Sequence, residues 1–197
     1  ALGHMGNLLV PYDATAEKDV SFEHRYYVDG PVVVGDVHDK SWKTALVGTA
    51  GAGGRSVFAL DVSDPTKFGA SNRMWELNDF NTGLGEDVLN NLGHVLGKPV
   101  IVPVKGDGDA VSFKAIFGNG VESKSGKAAL FVVDMVAGTK PKVKVYVAQE
   151  TGDKLPAGRN GLTNIVVVDR WSGDGQKQRG RDGFADTVYG ADQKGAI

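Results

Sequence analysis

From residue 31 onward the chain alternates apolar and polar positions, or gathers short apolar runs rich in Val, Ile and Phe, between Gly-rich or charged turns. A period of two over such runs marks strands with one buried face. It predicts strands at 32–37, 44–48, 56–62, 99–104, 113–117, 129–135, 143–148, 165–169 and 187–190. Helical spacing occurs where Leu84, Val88, Leu92 and Val95 recur at intervals of four, four and three, which fits one face of a short helix over 84–96. Gly85, Gly93 and two Asn in the same stretch suit a turn-rich insertion equally well.

A self-match at long period bears on the architecture. Lys43-Thr44-Ala45-Leu46-Val47-Gly48, a Gly-rich turn and Ser56-Val57-Phe58-Ala59-Leu60-Asp61-Val62 form one copy. Phe113-Lys114-Ala115-Ile116-Phe117-Gly118-Asn119-Gly120, a turn and Ala129-Leu130-Phe131-Val132-Val133-Asp134-Met135 form the next. Gly48 and Gly118 lie 70 residues apart and Asp61 and Asp134 lie 73 apart, so the second connection is expected to be three residues longer. With the two Asp aligned, Phe58, Leu60 and Val62 share the face that Phe131, Val133 and Met135 take in the second copy. A shortened third copy has 165–168 as inner strand, 186–190 as its neighbour and 194–197 entering the return.

An antiparallel meander of three or four strands cannot bury both faces alone, so the copies are expected to fan out as propeller blades. Their spacing exceeds the usual blade of about 40–45 residues, and insertions, chiefly 68–98, account for the excess. A β-sandwich with coincidentally similar hairpins is the alternative. The expected fold is all-β, an incomplete β-propeller over 22–197 with about three antiparallel blades, inserted loops and a truncated last blade. Both ends look cut. A lead-in of 1–21 precedes the propeller, and its Gly3-His4-Met5 reads either as native sequence or as a tag or linker scar.

Composition narrows the function classes. Glycine takes 28 of 197 positions, twice the usual usage of about 7%, with 3 Met and 7 Pro, which argues against a helix bundle. The net charge of −2 leaves no basic footprint for nucleic acid or a membrane surface. No Cys is present, so disulfides, thiol nucleophiles and cysteine-ligated metals are excluded for this stretch. No run of eighteen apolar residues offers a membrane-spanning helix.

Candidate chemistry is sparse. Gly48-Thr49-Ala50-Gly51-Ala52-Gly53-Gly54-Arg55-Ser56 imitates a phosphate loop, but such a loop needs Gly-Lys-Ser/Thr opening a helix, whereas here an alternating strand follows. Gly118-Asn119-Gly120 and 105–109 read as turns. The histidines at 4, 24, 38 and 94 show no metal-ligand spacing, and no serine sits in a nucleophile-elbow pattern. Oxygen donors do cluster around Asp169, Asp174, Asp182 and Asp186. Ca²⁺ takes six to eight oxygens, and loops of the form Asp-x-Asx-x-Asp-Gly-x-x-Asp supply them. Asp182-Gly183-x-x-Asp186 reproduces the second half, with the Phe184 carbonyl as a further donor and Asp169 as the first carboxylate. Twelve residues separate Asp169 from Asp182 where a compact loop has three, so the central ligand is either lost or supplied by a residue such as Asp174. A solvated acidic turn is the competing reading.

The ordered series His24-Arg25-Tyr26-Tyr27-Val28-Asp29-Gly30, Val34-Gly35-Asp36, Trp42-Lys43-Thr44-Ala45-Leu46-Val47-Gly48, Gly51-Ala52-Gly53-Gly54-Arg55, Val57-Phe58-Ala59-Leu60-Asp61-Val62 and Asp64-Pro65 resembles the C-terminal propeller domain of PilC/PilY-type type IV pilus proteins. Met74-Trp75-Glu76, Phe117-Gly118-Asn119-Gly120 and Val188-Tyr189-Gly190-Ala191-Asp192-Gln193-Lys194-Gly195 extend the resemblance in the same order, over about 22–197. It implies a modified, quinoprotein-like β-propeller in a large protein of the outer membrane surface or pilus tip of a Gram-negative bacterium. It further implies a non-enzymatic role in pilus assembly against retraction, in twitching motility and in adhesion linked to virulence. The implied partners are minor pilins, other tip components and a host-surface receptor. The family's calcium loop falls here on Asp169, Asp182 and Asp186, interrupted by 170–181. A quinoprotein-like dehydrogenase and an autonomous binding β-sandwich are the rival readings. The first is disfavoured by the lack of the vicinal disulfide on which many such enzymes stack the quinone.

Overall fold

The computed structural model describes residues 26–106, 110–136, 141–149, 159–170 and 182–197; the 1–21 lead-in and Asp174 lie outside these. Among the described residues ten strands form three separate antiparallel sheets. Blade 1 has the order β1 (Val32–His38), β2 (Trp42–Thr49), β3 (Ser56–Asp61), β4 (Arg73–Asn78). Blade 2 has the order β5 (Val100–Lys105), β6 (Val111–Gly118), β7 (Ala129–Asp134), β8 (Val143–Val147). β9 (Leu162–Val168) and β10 (Thr187–Asp192) pair as blade 3. The sheets stay distinct and do not close a ring, as a partial propeller requires.

Every predicted strand is present, most of them shifted by one to three residues at an end. The 84–96 stretch divides into a 3-10 turn at Thr82–Leu84, a single helix α1 (Glu86–Asn91) and an extended lead-in to β5. Val88, Leu92 and Val95 are all buried, so the apolar spacing was a true burial signal although the helix is shorter than the pattern. The 68–98 segment is not wholly an insertion. It contains β4, whose buried Trp75 and Leu77 alternate with half-buried Met74 and Glu76.

The repeat is real, but its phase differs from the Asp alignment. Gly48 pairs with Phe58 and Gly118 with Leu130. Glycines 70 apart therefore face partners 72 apart, and the second connection is two residues longer, not three. A slip of one residue exchanges the faces of a strand. Val57 and Ala59, not Phe58 and Leu60, are the buried counterparts of Ala129, Phe131 and Val133. Asp61, opposite Ala45, is matched by Val133, opposite Ala115.

The main core lies between blades 1 and 2. Ala45, Val47, Val57, Ala59, Trp75 and Leu77 face Phe117, Phe131, Val133 and Met135, with Val88, Leu92 and Val95 at the side. Phe117 and Phe131 stack with centroids 5.3 Å apart. Each fully buried side chain of this size contributes about 1.5–3 kcal/mol. The inner strands β1 and β5 touch, as do β6 and β9. Gly35 lies at the first contact, where an added Cβ would meet Ile101 at van der Waals distance.

The registers set two ends of the sheets apart. At the seam end lie the β2–β3 and β6–β7 turns and the lead-ins to β5 and β9; at the hairpin end lie the tips β1–β2, β5–β6 and β9–β10. Side chains stitch the blades at the seam end. Thr49 Oγ1 donates to the Val95 carbonyl at 2.8 Å, and His94 Nδ1 donates to the Gly51 carbonyl at 3.0 Å. Asn119, 70 residues after Thr49, does the equivalent work for the next blade by accepting the N–H of Leu162 at 3.0 Å. Gly120, with φ +76°, lets this strand end pass His94, whose carbonyl oxygen would sit 1.9 Å from an added Cβ.

Candidate functional site

The hairpin end holds the acidic loop that the sequence singles out. Asp169 follows β9 directly, and Asp182–Asp186 leads into β10, so the β9–β10 pairing brings the two segments together across the ladder. Asp169 Oδ2 accepts the Gly183 N–H at 2.7 Å. Asp186 Oδ1 accepts the Arg170 N–H at 3.1 Å and the Thr187 hydroxyl at 2.7 Å, and its own N–H donates to the Val168 carbonyl. Gly183 turns the chain with φ +86°.

Blade 2 grips the same loop. Lys105, the last residue of β5, donates to Asp182 Oδ2 at 2.9 Å and lies 4.7 Å from the centre of the Phe184 ring. The Ala185 N–H donates to the Pro103 carbonyl at 2.9 Å. Asp182 Oδ1 accepts the Phe184 N–H at 3.1 Å. The Lys105 ammonium, helped by that N–H, holds the Asp182 carboxyl below the usual carboxylate range.

The donor set matches a calcium loop in kind, since hard carboxylate oxygens flank a tight glycine turn. Its arrangement is partial: among the described residues no three acidic or histidine side chains converge. Asp182 is turned to a lysine, while Asp169 and Asp186 cap backbone N–H groups. Asp174 lies outside the described residues.

The strand connection at 50–55 is a 3-10 turn, Gly51–Gly53, entering β3, in keeping with the rejection of a phosphate loop. His38 is exposed at the β1–β2 tip, and His94 serves the seam. Reading Gly118-Asn119-Gly120 as a plain turn missed its main feature. Asn119 is fully buried, and its side chain makes four hydrogen bonds. Its position 70 residues after a threonine, rather than its own neighbours, was the available signal.

The PilY1 β-propeller domain model matches residues 7–197. A type IV pilus biogenesis factor PilY1 homolog of Xylella fastidiosa strain Temecula1 is 39% identical over 200 residues, covering 100% of this chain and 12% of that protein. The type IV pilus biogenesis factor PilY1 of Pseudomonas aeruginosa strain UCBPP-PA14 is 36% identical over 175 residues, covering 88% of this chain and 13% of that protein. The chain thus spans about an eighth of the length of these relatives. The crystal structure of the Pseudomonas aeruginosa PilY1 C-terminal domain superimposes with a TM-score of 0.57 at 30% identity, over 84% of this chain and 28% of that one. With three blade-like sheets, stitched seams and a family match over nearly its whole length, the chain belongs to the PilY1 β-propeller domain family.

Proposed function

We propose that this chain is the propeller portion of a type IV pilus biogenesis factor, acting through its surfaces rather than by turnover. The observation that carries the reading is the family match over 7–197, together with relatives named as pilus biogenesis factors. In this reading the whole protein sits at the outer surface or pilus tip of a Gram-negative cell and supports assembly by opposing retraction. Its partners are minor pilins or other tip components, and adhesion to a host-surface receptor, twitching motility and virulence follow from the pili it maintains. Among the described residues no helix is long and apolar enough to cross a membrane. The decisive experiment replaces the gene by one lacking residues 26–197 of this chain. Surface pili should be lost in a retraction-competent strain and regained when the retraction motor is also removed. Normal piliation in the competent strain overturns the reading.

Calcium regulation is the finer part of the same proposal. Asp169, Asp182 and Asp186 with the Phe184 carbonyl, completed by Asp174, would hold Ca²⁺ at the hairpin end and stiffen the loop between β9 and β10. Support comes from the two acidic segments lying side by side across the β9–β10 ladder. Calcium titration of the complete protein should raise its melting temperature, and Asp186→Ala should abolish the rise. An equal melting temperature with calcium and with chelator sinks the metal claim and leaves the pilus reading untouched.

A further inference from the structure

Next to the acidic loop, the hairpin end carries a groove that the pilus reading does not use. Its first half is a cleft of about 430 Å³ walled by all three blades: His38 and Trp42 from the β1–β2 tip, Pro103 and Phe113 from blade 2, and Phe184 from the blade 3 loop. A second depression of about 220 Å³ adjoins it, sharing His38 and Phe113 and adding Asp39, Ser112, Asp134 and Lys142. An aromatic shelf thus runs on into a polar trough.

Trp42 dominates the shelf. It is 67% exposed, yet its ring is braced by His38 at 5.1 Å and by Phe113 at 6.0 Å, both edge to face. A large indole left open to water and still held in one orientation is the geometry of a preorganised stacking platform. The opposite wall is fixed too, because Lys105 lies over Phe184 and bonds Asp182.

Charge selects the ligand class. Asp134 is bonded by Lys114 and Asp182 by Lys105, and the trough adds Asp39 beside Lys142. Among the described residues the groove's carboxylates and ammonium groups balance, so they offer hydrogen-bond donors and acceptors without a net field and give a charged ligand no steering. A ligand that fits has one apolar face, many hydroxyls and no charge. An extended peptide added to the free edge of β1 or β5 would run along the strand and would not need the Trp42 indole at the tip, so dependence on Trp42 separates the two ligand classes.

We propose that this groove binds a neutral glycan. One pyranose ring lays its C–H face on the Trp42 indole in the cleft, and the linked ring hydrogen-bonds Asp39, Ser112 and Lys142 in the trough. The proposal stands on this geometry and does not depend on the pilus assignment. Asp182 lines the cleft and also belongs to the candidate calcium loop, so binding is measured both in calcium and in chelator.

The test titrates the complete protein carrying this chain with cellobiose, lactose and N,N′-diacetylchitobiose, using saturation-transfer NMR and calorimetry. The acidic trisaccharide 6′-sialyllactose and a proline-rich decapeptide serve as rivals. Saturable binding of at least one neutral disaccharide is expected, weakened at least about tenfold by Trp42→Ala with the melting temperature unchanged, and weakened less by Trp42→Phe. Asp39→Ala, on an exposed tip, should weaken the same ligand and gives a second handle. The proposal is overturned by a lack of saturable binding to any neutral disaccharide, by undiminished affinity in both Trp42→Ala and Asp39→Ala, by equal or tighter binding of the acidic sugar, or by Trp42-dependent binding of the peptide alone.

Discussion

The side-chain oxygen of Asn119 accepts the N–H of Leu162 at 3.0 Å, joining the end of one blade's second strand to the first residue of the next blade's inner strand. The same oxygen accepts the Ala129 N–H, and the amide nitrogen donates to the carbonyls of Asn91 and Lys127. All four hydrogen-bonding positions of one fully buried side chain are filled. Asn119→Ala should destabilise the domain by about 3 kcal/mol or more, because buried partners are left unpaired at about 1–3 kcal/mol each. Thr49→Val removes one seam bond, to Val95, and should cost about 1 kcal/mol. Denaturant midpoints of the two variants check the order. Hydrogen exchange at Leu162 should accelerate in Asn119→Ala alone, and equal exchange in both variants would refute the latch.

Glycines along the same seam divide by what surrounds them. An alanine Cβ at Gly120 would meet the His94 carbonyl at 1.9 Å in a backbone with φ +76°, while at Gly85, with φ +87°, nothing lies within 4 Å. Gly85→Ala should therefore cost only the strain of an extended positive-φ backbone, about 1–3 kcal/mol. Gly120→Ala adds a backbone clash and should prevent a native seam. Comparing expression and melting temperature of the two variants tests this, and similar losses would count against the close passage at His94.

Much of this architecture was legible in the sequence because period-two patterning reports burial directly. Phe131 and Val133 sit where alternation requires, whereas β3 buries Val57 and Ala59 in place of Phe58 and Leu60. The phase between copies was not legible, since Asp61 and Asp134 look equivalent in type. They differ in place: Asp61 faces Ala45, with Lys43 3.5 Å from its carboxylate, while Asp134 is directly opposite Lys114. β4 escaped because Arg73, Glu76 and Asn78 dilute its alternation, although Trp75 and Leu77 anchor it. At the hairpin end, Asp169, Asp182 and Asp186 stood out through local spacing. The Trp42 cleft draws on residues more than 140 positions apart, and no local pattern announces it.

Acid should loosen blade 3. Asp192 Oδ1 accepts the N–H groups of Lys194 and Ala196, and Oδ2 accepts the Asn160 amide at 2.7 Å. Burial pushes its pKa up, but the Asn160 amide and the two N–H groups outweigh this and hold it below the ordinary carboxylate value. Asp182 is lowered as well, chiefly by Lys105. A carboxyl lowered in the folded state stabilises fully above its unfolded pKa of about 3.9 and loses that contribution as pH falls through the folded value. Blade 3 amides should therefore keep their exchange protection, corrected for intrinsic rates, down to about pH 4 and lose it below, with Asp192→Asn showing a flatter profile. Loss of protection beginning near neutral pH would contradict this assignment.

Lys105 and calcium should compete for Asp182. The ammonium occupies one carboxylate oxygen at 2.9 Å, and the Ala185 N–H to Pro103 carbonyl bond holds the loop against β5 independently of that charge. Lys105→Met keeps an unbranched apolar stem beside Phe184 while removing the cation, so the loop should stay docked and Asp182 should return toward the ordinary carboxylate range. If Asp182 is a metal ligand, the variant should bind calcium about threefold to tenfold more tightly than the parent protein, the modest gain fitting an exposed pair screened by solvent. Calorimetric titration of both proteins measures the ratio. Equal calcium affinity would remove Asp182 from the ligand set, and weaker affinity in the variant would show that Lys105 supports the metal-bound loop instead of opposing it.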